Sequence, residues 1–447
     1  VEPLTLRAHF PAGATPRAEQ ARLLDALDDA LAEVEQDPAA PRVFALEAPP
    51  GVGKSHLAMA LARWSGDAYL LTSQKLLQDQ YEREFGDQIQ LVKGRDNYTC
   101  ERHPGPAVPT SQGLCRRPRG PICQCPYARA KAAALAGPVF CTNTWYFATL
   151  RHWHAEQLRR RRLLVVDEAH NLEAQLVHVY SVRFSAAEMT EWFGSPLPRL
   201  ATVDDYRDLL GSHAERLEQE LAIVVRALEA LRPPGVEPEP VLEAPPSREE
   251  LALLDQRDGL QGALARLRCF VEAGEAEWVL RYPPGPGAAF ELMPLAVTAQ
   301  VHALLTECAD LVVLSSAYLG PAAVLAESFG FEEGAVRGFS APSPFPLAQR
   351  PIVYRPVGAL SRARQAEQEP ALFAEIAAIL IAHAHDKGLL HVASYAVARR
   401  LVADLGRRAP AEARRLIFVE SSEAKTRALE QHRRSPQPTV LVSPSLR

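Results

Sequence analysis

Through residues 17–180 the chain alternates short apolar runs with amphipathic stretches. Apolar residues recur every three or four positions in PRAEQARLLDALDDALAEV (16–34), in the stretch after Lys54 and in QKLLQDQYEREF (74–85), and this spacing predicts helices. Compact apolar runs, RVFALE (42–47), AYLLT (68–72) and IQLV (89–92), predict buried strands between them. Such an order predicts a parallel sheet with helical crossovers, an α/β fold. The pattern breaks at Lys93 and returns with PVFCTN (138–143) and RLLVVDE (162–168), so 93–135 reads as an insertion.

From 184 to 275 the period is helical throughout. ATVDDYRDLLGSHAERLEQELAIVVRALEAL (201–231) and REELALLDQRDGLQGALARLRCFVEA (248–273) flank a proline-rich hinge, 232–246, and together read as a second, all-helical insertion. The strand-like runs EWVLRY (277–282), FELMPL (290–295) and DLVVLSSA (310–317) are expected to return to the first sheet. Beyond the SPFPL turn (343–347), helix 371–384, strand 388–394, helix 395–405 and strands 414–420 and 438–443 predict a second α/β unit.

At 447 residues the chain exceeds the ~250–300 over which one core usually grows, so two or more domains are expected. No apolar run approaches the ~18 residues of a membrane span. VEPLTLRAHF also lacks the apolar stretch of a secretory signal, so an intracellular, cytoplasmic protein without a membrane partner is expected. A net charge of −5 gives no global attraction to nucleic acid, which leaves local basic patches to supply any. Lysine occurs only at 54, 75, 93, 131, 387 and 425; an Arg-biased coding background accounts for that scarcity and draws attention to each lysine kept.

Two motifs carry candidate chemistry. Strand RVFALE runs into APPGVGKS (48–55) and then a helix, the context of a phosphate-binding loop whose amides and helix N-terminus face phosphate. Pro50, Gly51, Val52, Gly53, Lys54 and Ser55 are the candidate nucleotide ligands: Lys54 for the β- and γ-phosphates, Ser55 for Mg²⁺, with Ala48 where the usual pattern has its first glycine. RLLVVDEAH (162–170) ends a buried strand in two carboxylates, with Asp167 placed to hold Mg²⁺ and Glu168 to polarise water.

Four of the seven cysteines, Cys100, Cys115, Cys123 and Cys125, fall within the insertion, in a segment too rich in Pro, Gly and Arg to form an apolar core. Disulfides are not expected in a reducing compartment, which leaves metal binding. The spacing accepts either zinc or an iron–sulfur cluster. Cys141, Cys269 and Cys308 sit in apolar strand or helix patterns and read as core.

These residues together resemble the superfamily-two iron–sulfur helicases that include XPD and the bacterial DinG proteins. The resemblance is carried by Gln20 in PRAEQ, EAPPGVGKS, LLTSQKLLQDQ, KGRDNYTC (93–100) and DEAH (167–170). It implies two RecA-like motor domains, the second incomplete, with a small Fe–S cluster insertion and an all-helical Arch insertion in the first. The implied boundaries are 1–92, 136–183 and 276–340 for the first motor domain, 93–135 for the cluster domain, 184–275 for the Arch and 341–447 for the second motor domain. It further implies ATP, Mg²⁺ and a [4Fe–4S] cluster on Cys100, Cys115, Cys123 and Cys125. Gln20 would meet adenine, and Lys54, Asp167, Glu168 and His170 would be catalytic, with His170 coupling hydrolysis to motion.

The partners implied are single-stranded and forked DNA, the activity 5′ to 3′ unwinding in repair or replication, and the state a monomer. Lys93, Arg95, Arg116, Arg117 and Arg119 would contact the backbone, or serve only as solubilising charge. The quartet 159–162 reads as a solvated strand start or a DNA-facing stripe. Trp145, Tyr146 and Phe147 read as base stackers or as helix packing. Tyr318 stands where the family has threonine in its serine-alanine-threonine motif. PTVLVSPSLR (438–447) resembles the start of a motif after which the family supplies an arginine finger, so the chain is expected to be part of a longer enzyme. A nucleic-acid-binding module with weakened catalysis and a zinc-stabilised RNA helicase are the alternatives.

Overall fold

The structure, a computed structural model, describes residues 5–11, 13–101, 107–113, 125–193, 200–231, 247–271, 278–282, 288–358, 364–419 and 424–444. It divides into two compact units, Val1–Pro346 and Leu347–Arg447. The first contains strands β1 (Val43–Glu47), β2 (Ala68–Thr72), β3 (Gln90–Leu91), β4 (Val139–Asn143), β5 (Arg161–Asp167), β6 (Val182–Ser185), β7 (Trp278–Arg281), β8 (Ala288–Pro294), β9 (Ala309–Ser316) and β10 (Val336–Ser340).

Seven of these form one parallel sheet in the order β10-β1-β9-β5-β2-β4-β3. Its strands are almost continuously apolar because helices cover both faces. Phe44, Leu46, Leu70, Leu163, Val165 and Val313 point into one buried layer with the helices Ala18–Gln36 and Lys54–Ser65. Ala45, Tyr69, Leu71, Leu164, Val166 and Leu314 point into the other, against the helices Thr144–Trp153, Leu172–Tyr180 and Thr298–Cys308. Each fully buried Leu, Val or Phe contributes about 1.5–3 kcal/mol of transfer free energy, enough to hold the strand ends of one edge in register. That edge carries Glu47, Ser316, Asp167, Thr72 and Asn143.

The expectation that 277–282 and 290–295 rejoin this sheet is corrected. β7 and β8 pair antiparallel with each other and with β6 in a separate sheet, β6-β8-β7. Its buried Phe184, Phe290 and Leu292 pack with Tyr206, Leu210, Leu217, Leu267 and Phe270 of the helices Val203–Ala230 and Arg248–Val271. The first of these helices is started by a reciprocal cap, with Asp205 N donating to Thr202 Oγ1 and Thr202 N to an Asp205 carboxylate oxygen. The edge strand β10 has no counterpart among the expected strands, because its sequence VRGFS carries Arg and Gly in place of an apolar run.

In the second unit β11 (Gly388–His391), β12 (Leu416–Phe418) and β13 (Val440–Ser443) form a parallel sheet, β11-β13-β12, packed by Phe373, Leu380, Leu401 and Leu405. Among the described residues no helix is long and apolar enough to cross a membrane.

Candidate functional site

At the end of β1 the chain enters the loop 48–53. Ala48 N donates to Ser316 O (2.8 Å), which pins the loop to β9, and Val52 is buried beneath it. Gly51 and Gly53 have φ of +88° and +90°, a region open to glycine without steric cost. The turn delivers Lys54 and Ser55 to the N-terminus of the helix Lys54–Ser65, where free backbone N–H groups and the helix dipole favour an anion. Lys54 Nζ lies 3.3 Å from Ala48 O and 3.5 Å from Glu168 Oε1.

β5 ends opposite. Asp167 is 5% exposed, and burial, reinforced by the neighbouring Glu168 charge, pushes its carboxyl up to about 6. Glu168 has φ +55°, the single positive φ outside glycine among the described residues. Such backbone strain costs roughly 1–3 kcal/mol and marks a residue held by its surroundings. Its carboxylate lies between Lys54 and His170, whose Nδ1 is 3.3 Å from Glu168 Oε2 and 2.7 Å from Ser316 Oγ. Lys54, Glu168, His170 and Ser316 thus form one connected chain from the loop to the end of β9. Tyr318 is 69% exposed and touches this chain only through its backbone N–H to Ser316 Oγ (3.5 Å).

A cavity of about 660 Å³ opens over the loop, lined by Gly51, Gly53, Lys54, Ser55, Asp167, Glu168 and Gln20 among others. Pro50 is exposed and Val52 buried, and neither lines it; Pro49 does. His170 stands behind Glu168 rather than on the wall. Gln20 lines the cavity but braces the loop: its Oε1 accepts from Arg17 N (2.8 Å) and its Nε2 donates to Gly53 O (3.4 Å). For Mg²⁺ the donors fit, since Ser55 and a buried, charge-opposed Asp167 share the cavity and a divalent cation would offset that charge.

Further lining residues were not singled out from sequence. Arg17 Nη1 donates to Gly51 O (2.5 Å), Tyr81 points its hydroxyl at Asp167 (3.5 Å), and Phe345 packs on Gly51. Arg17 is the N-cap residue of the helix Ala18–Gln36, and Gln20 three positions on accepts from its backbone N–H; that glutamine at the third helical position is the legible part of a helix start. Tyr81 and Phe345 carried no comparable signal.

The insertion is only partly described. Cys100 and Cys125 are buried free thiols, and Cys125 Sγ caps the helix Pro126–Ala136 by accepting from Ala128 N (3.4 Å). Cys115 and Cys123, with Arg116, Arg117 and Arg119, lie outside the described residues. Among the described residues no cluster of three or more His, Cys, Asp or Glu could hold a metal, and half of the four-thiol set is outside that view. Cys141 and Cys308 are buried in the core and Cys269 partly so.

Lys93 is held between Asp79 and Glu82 at 2.7 Å each. Arg95 lies 5.2 Å from the Tyr127 ring centroid and helps line a second cavity of about 590 Å³. Trp145, Tyr146 and Trp153 from the helix Thr144–Trp153 line it too, with Lys131 and, from the Arg248–Val271 helix, Arg257. Tyr127 and Tyr146 share a hydroxyl contact of 2.8 Å, and burial, then Arg95, lowers the Lys131 ammonium. The aromatic trio therefore splits. Trp145 is 50% exposed and Tyr146 faces the cavity, whereas Phe147 is fully buried against Tyr69.

The arginines 159–162 each bind their own protein. Arg159 pairs with Asp67, Arg160 with Asp310 and Arg162 with Glu35. Arg161 is buried, donating to Asp67 and to the carbonyls of Ala134, Leu135, Gly137 and Pro138. They stand at the opposite end of β5 from Asp167, where they serve the start of the strand.

No family model and no curated protein sequence matches the chain. Solved structures do. An XPD helicase structure covers 96% of this chain and 80% of its own at TM-score 0.54 and 14% identity. The S. tokodaii Xpd4 structure covers 94% of this chain and 80% of its own at TM-score 0.50 and 12% identity. With a seven-stranded parallel sheet and these neighbours, the chain shares the fold of these XPD helicase structures.

Proposed function

We propose that this protein is an ATP-dependent DNA helicase of the XPD and DinG type. The observation that carries this reading is the strained Glu168, held between Lys54 and His170 across the cavity from the glycine loop. Lys54 and the loop amides bind the triphosphate, and Glu168 orients and deprotonates the attacking water. Through Ser316, His170 reports occupancy of the site to the end of β9. Mg²⁺, when bound at Ser55 and Asp167, would neutralise phosphate charge.

The second cavity, with exposed Trp145 and half-buried Tyr146 beside the exposed Arg95, supports contact with single-stranded DNA by stacking and backbone charge. Movement from 5′ to 3′ and a role in repair or replication follow the resemblance. So does a [4Fe–4S] cluster on Cys100, Cys115, Cys123 and Cys125, which would lend folding energy to a segment with little core.

The test uses anaerobically purified protein: ATP hydrolysis with and without single-stranded DNA, unwinding of a 5′-tailed duplex, and iron and zinc content. DNA-stimulated hydrolysis with about four irons per chain supports the reading. Absence of hydrolysis with intact DNA binding would favour a binding module, and zinc without iron would remove the cluster. Trp145→Ala should weaken single-stranded DNA binding roughly 5- to 150-fold while ATP affinity is unchanged.

A further inference from the structure

We propose that Phe345 is the base-stacking residue of the nucleotide cavity, the exposed ring against which the purine of ATP lies. The inference rests on the cavity being a nucleotide site and adds the side chain that holds the base. The lining residues gather in two groups. Lys54, Asp167 and Glu168 form the charged group that suits a triphosphate and its cation. Around Gly51 and Gly53 gather Arg17, Gln20 and Phe345, with Arg17 and Gln20 each donating to a loop carbonyl.

Among the described residues three carbon rings line the cavity: Phe10, Tyr81 and Phe345. Phe10 is 7% exposed and stacked on His56, and Tyr81 is 1% exposed with its hydroxyl turned to Asp167. Phe345 is 51% exposed, so it alone of the three offers a wide free face. A planar, weakly polar base separated from its phosphates gains most from that face.

The position of the ring is built rather than incidental. Its segment leaves β10 with Ala341 N donating to Glu47 O (3.1 Å), and Phe345 N donates to Ser343 Oγ (3.3 Å). The ring packs so closely on the loop that a Cβ placed on Gly51 would lie 2.6 Å from Phe345 Cε2. Glycine at 51 therefore serves the ring's approach as well as the positive φ. Gln20, whose amide is already engaged at both ends, by Arg17 N and by Gly53 O, contributes less to holding the base than its place on the wall suggests.

The experiment compares wild type, Phe345→Ala, Phe345→Tyr and Lys54→Ala for binding of Mg-ATP and of inorganic tripolyphosphate, which has the phosphates and no base. Phe345→Ala is expected to weaken Mg-ATP roughly 5- to 150-fold, the range for loss of one base–aromatic stack, with tripolyphosphate affinity unchanged. Phe345→Tyr should restore ATP binding, and Lys54→Ala should weaken both ligands. Unchanged ATP affinity in Phe345→Ala overturns the proposal. Tighter tripolyphosphate binding in that variant also overturns it, because Phe345 would then be a plug over the phosphate loop. A wild-type protein that binds neither probe overturns the nucleotide reading together with this one, whereas loss of the Phe345 effect alone leaves that reading standing.

Discussion

Strand β5 starts among the arginines 159–162 and ends in Asp167 and Glu168, and the two ends treat charge in opposite ways. At the start, every arginine has a partner, and the buried Arg161 donates to four backbone carbonyls and Asp67. At the finish, Asp167 is buried with its charged form opposed by its surroundings, and Glu168 sits in a left-handed conformation. Charges that the fold satisfies hold it together. Charges that it holds desolvated, or on a strained backbone, are available to a ligand.

The largest expected effect is at the finish. Glu168→Gln keeps shape and removes the base, so ATP turnover should fall about 10²- to 10⁴-fold with ATP affinity kept and unfolding stability within about 1 kcal/mol, the value of its partly exposed pair with Lys54. Single-turnover hydrolysis beside urea unfolding reads both, and unchanged turnover would break the contrast.

Next is Arg161→Met, which leaves the four carbonyls it now serves without that donor, while Asp67 keeps its pair with Arg159. It should cost about 1–3 kcal/mol in urea unfolding while the folded fraction binds ATP as before. A loss below about 1 kcal/mol would mean that this end anchors nothing. Smallest is the exposed pair Arg160→Ala and Arg162→Ala, each expected to change stability by no more than about 1 kcal/mol and single-stranded DNA affinity not at all. A clear fall in DNA affinity would restore the DNA-facing stripe.

How far each part could be read in advance followed from how local its cause is. The loop 48–55 and the residues 167–170 were legible because short contiguous runs set the backbone geometry that phosphate and Mg²⁺ chemistry need. The strands β7 and β8 were legible as strands and misplaced, since alternation reports a half-buried ribbon and not the identity of its hydrogen-bonding neighbour. Successive residues 145–147 differ in burial because a helix turns about 100° per residue, and the packing of Tyr69 and Phe140 selected which of them went inside.

By itself the sequence determined the α/β alternation, the glycine loop, the paired carboxylates and the clustering of four cysteines, all properties of neighbouring residues. Only the tertiary structure decided that the arginines 159–162 are spoken for, that Arg17, Tyr81 and Phe345 share a wall with Lys54, and that Trp145 and Arg257, more than a hundred positions apart, line one cavity. Those assignments depend on which strand ends and helix faces meet across the parallel sheet, and hydrophobic burial sets that for the chain as a whole.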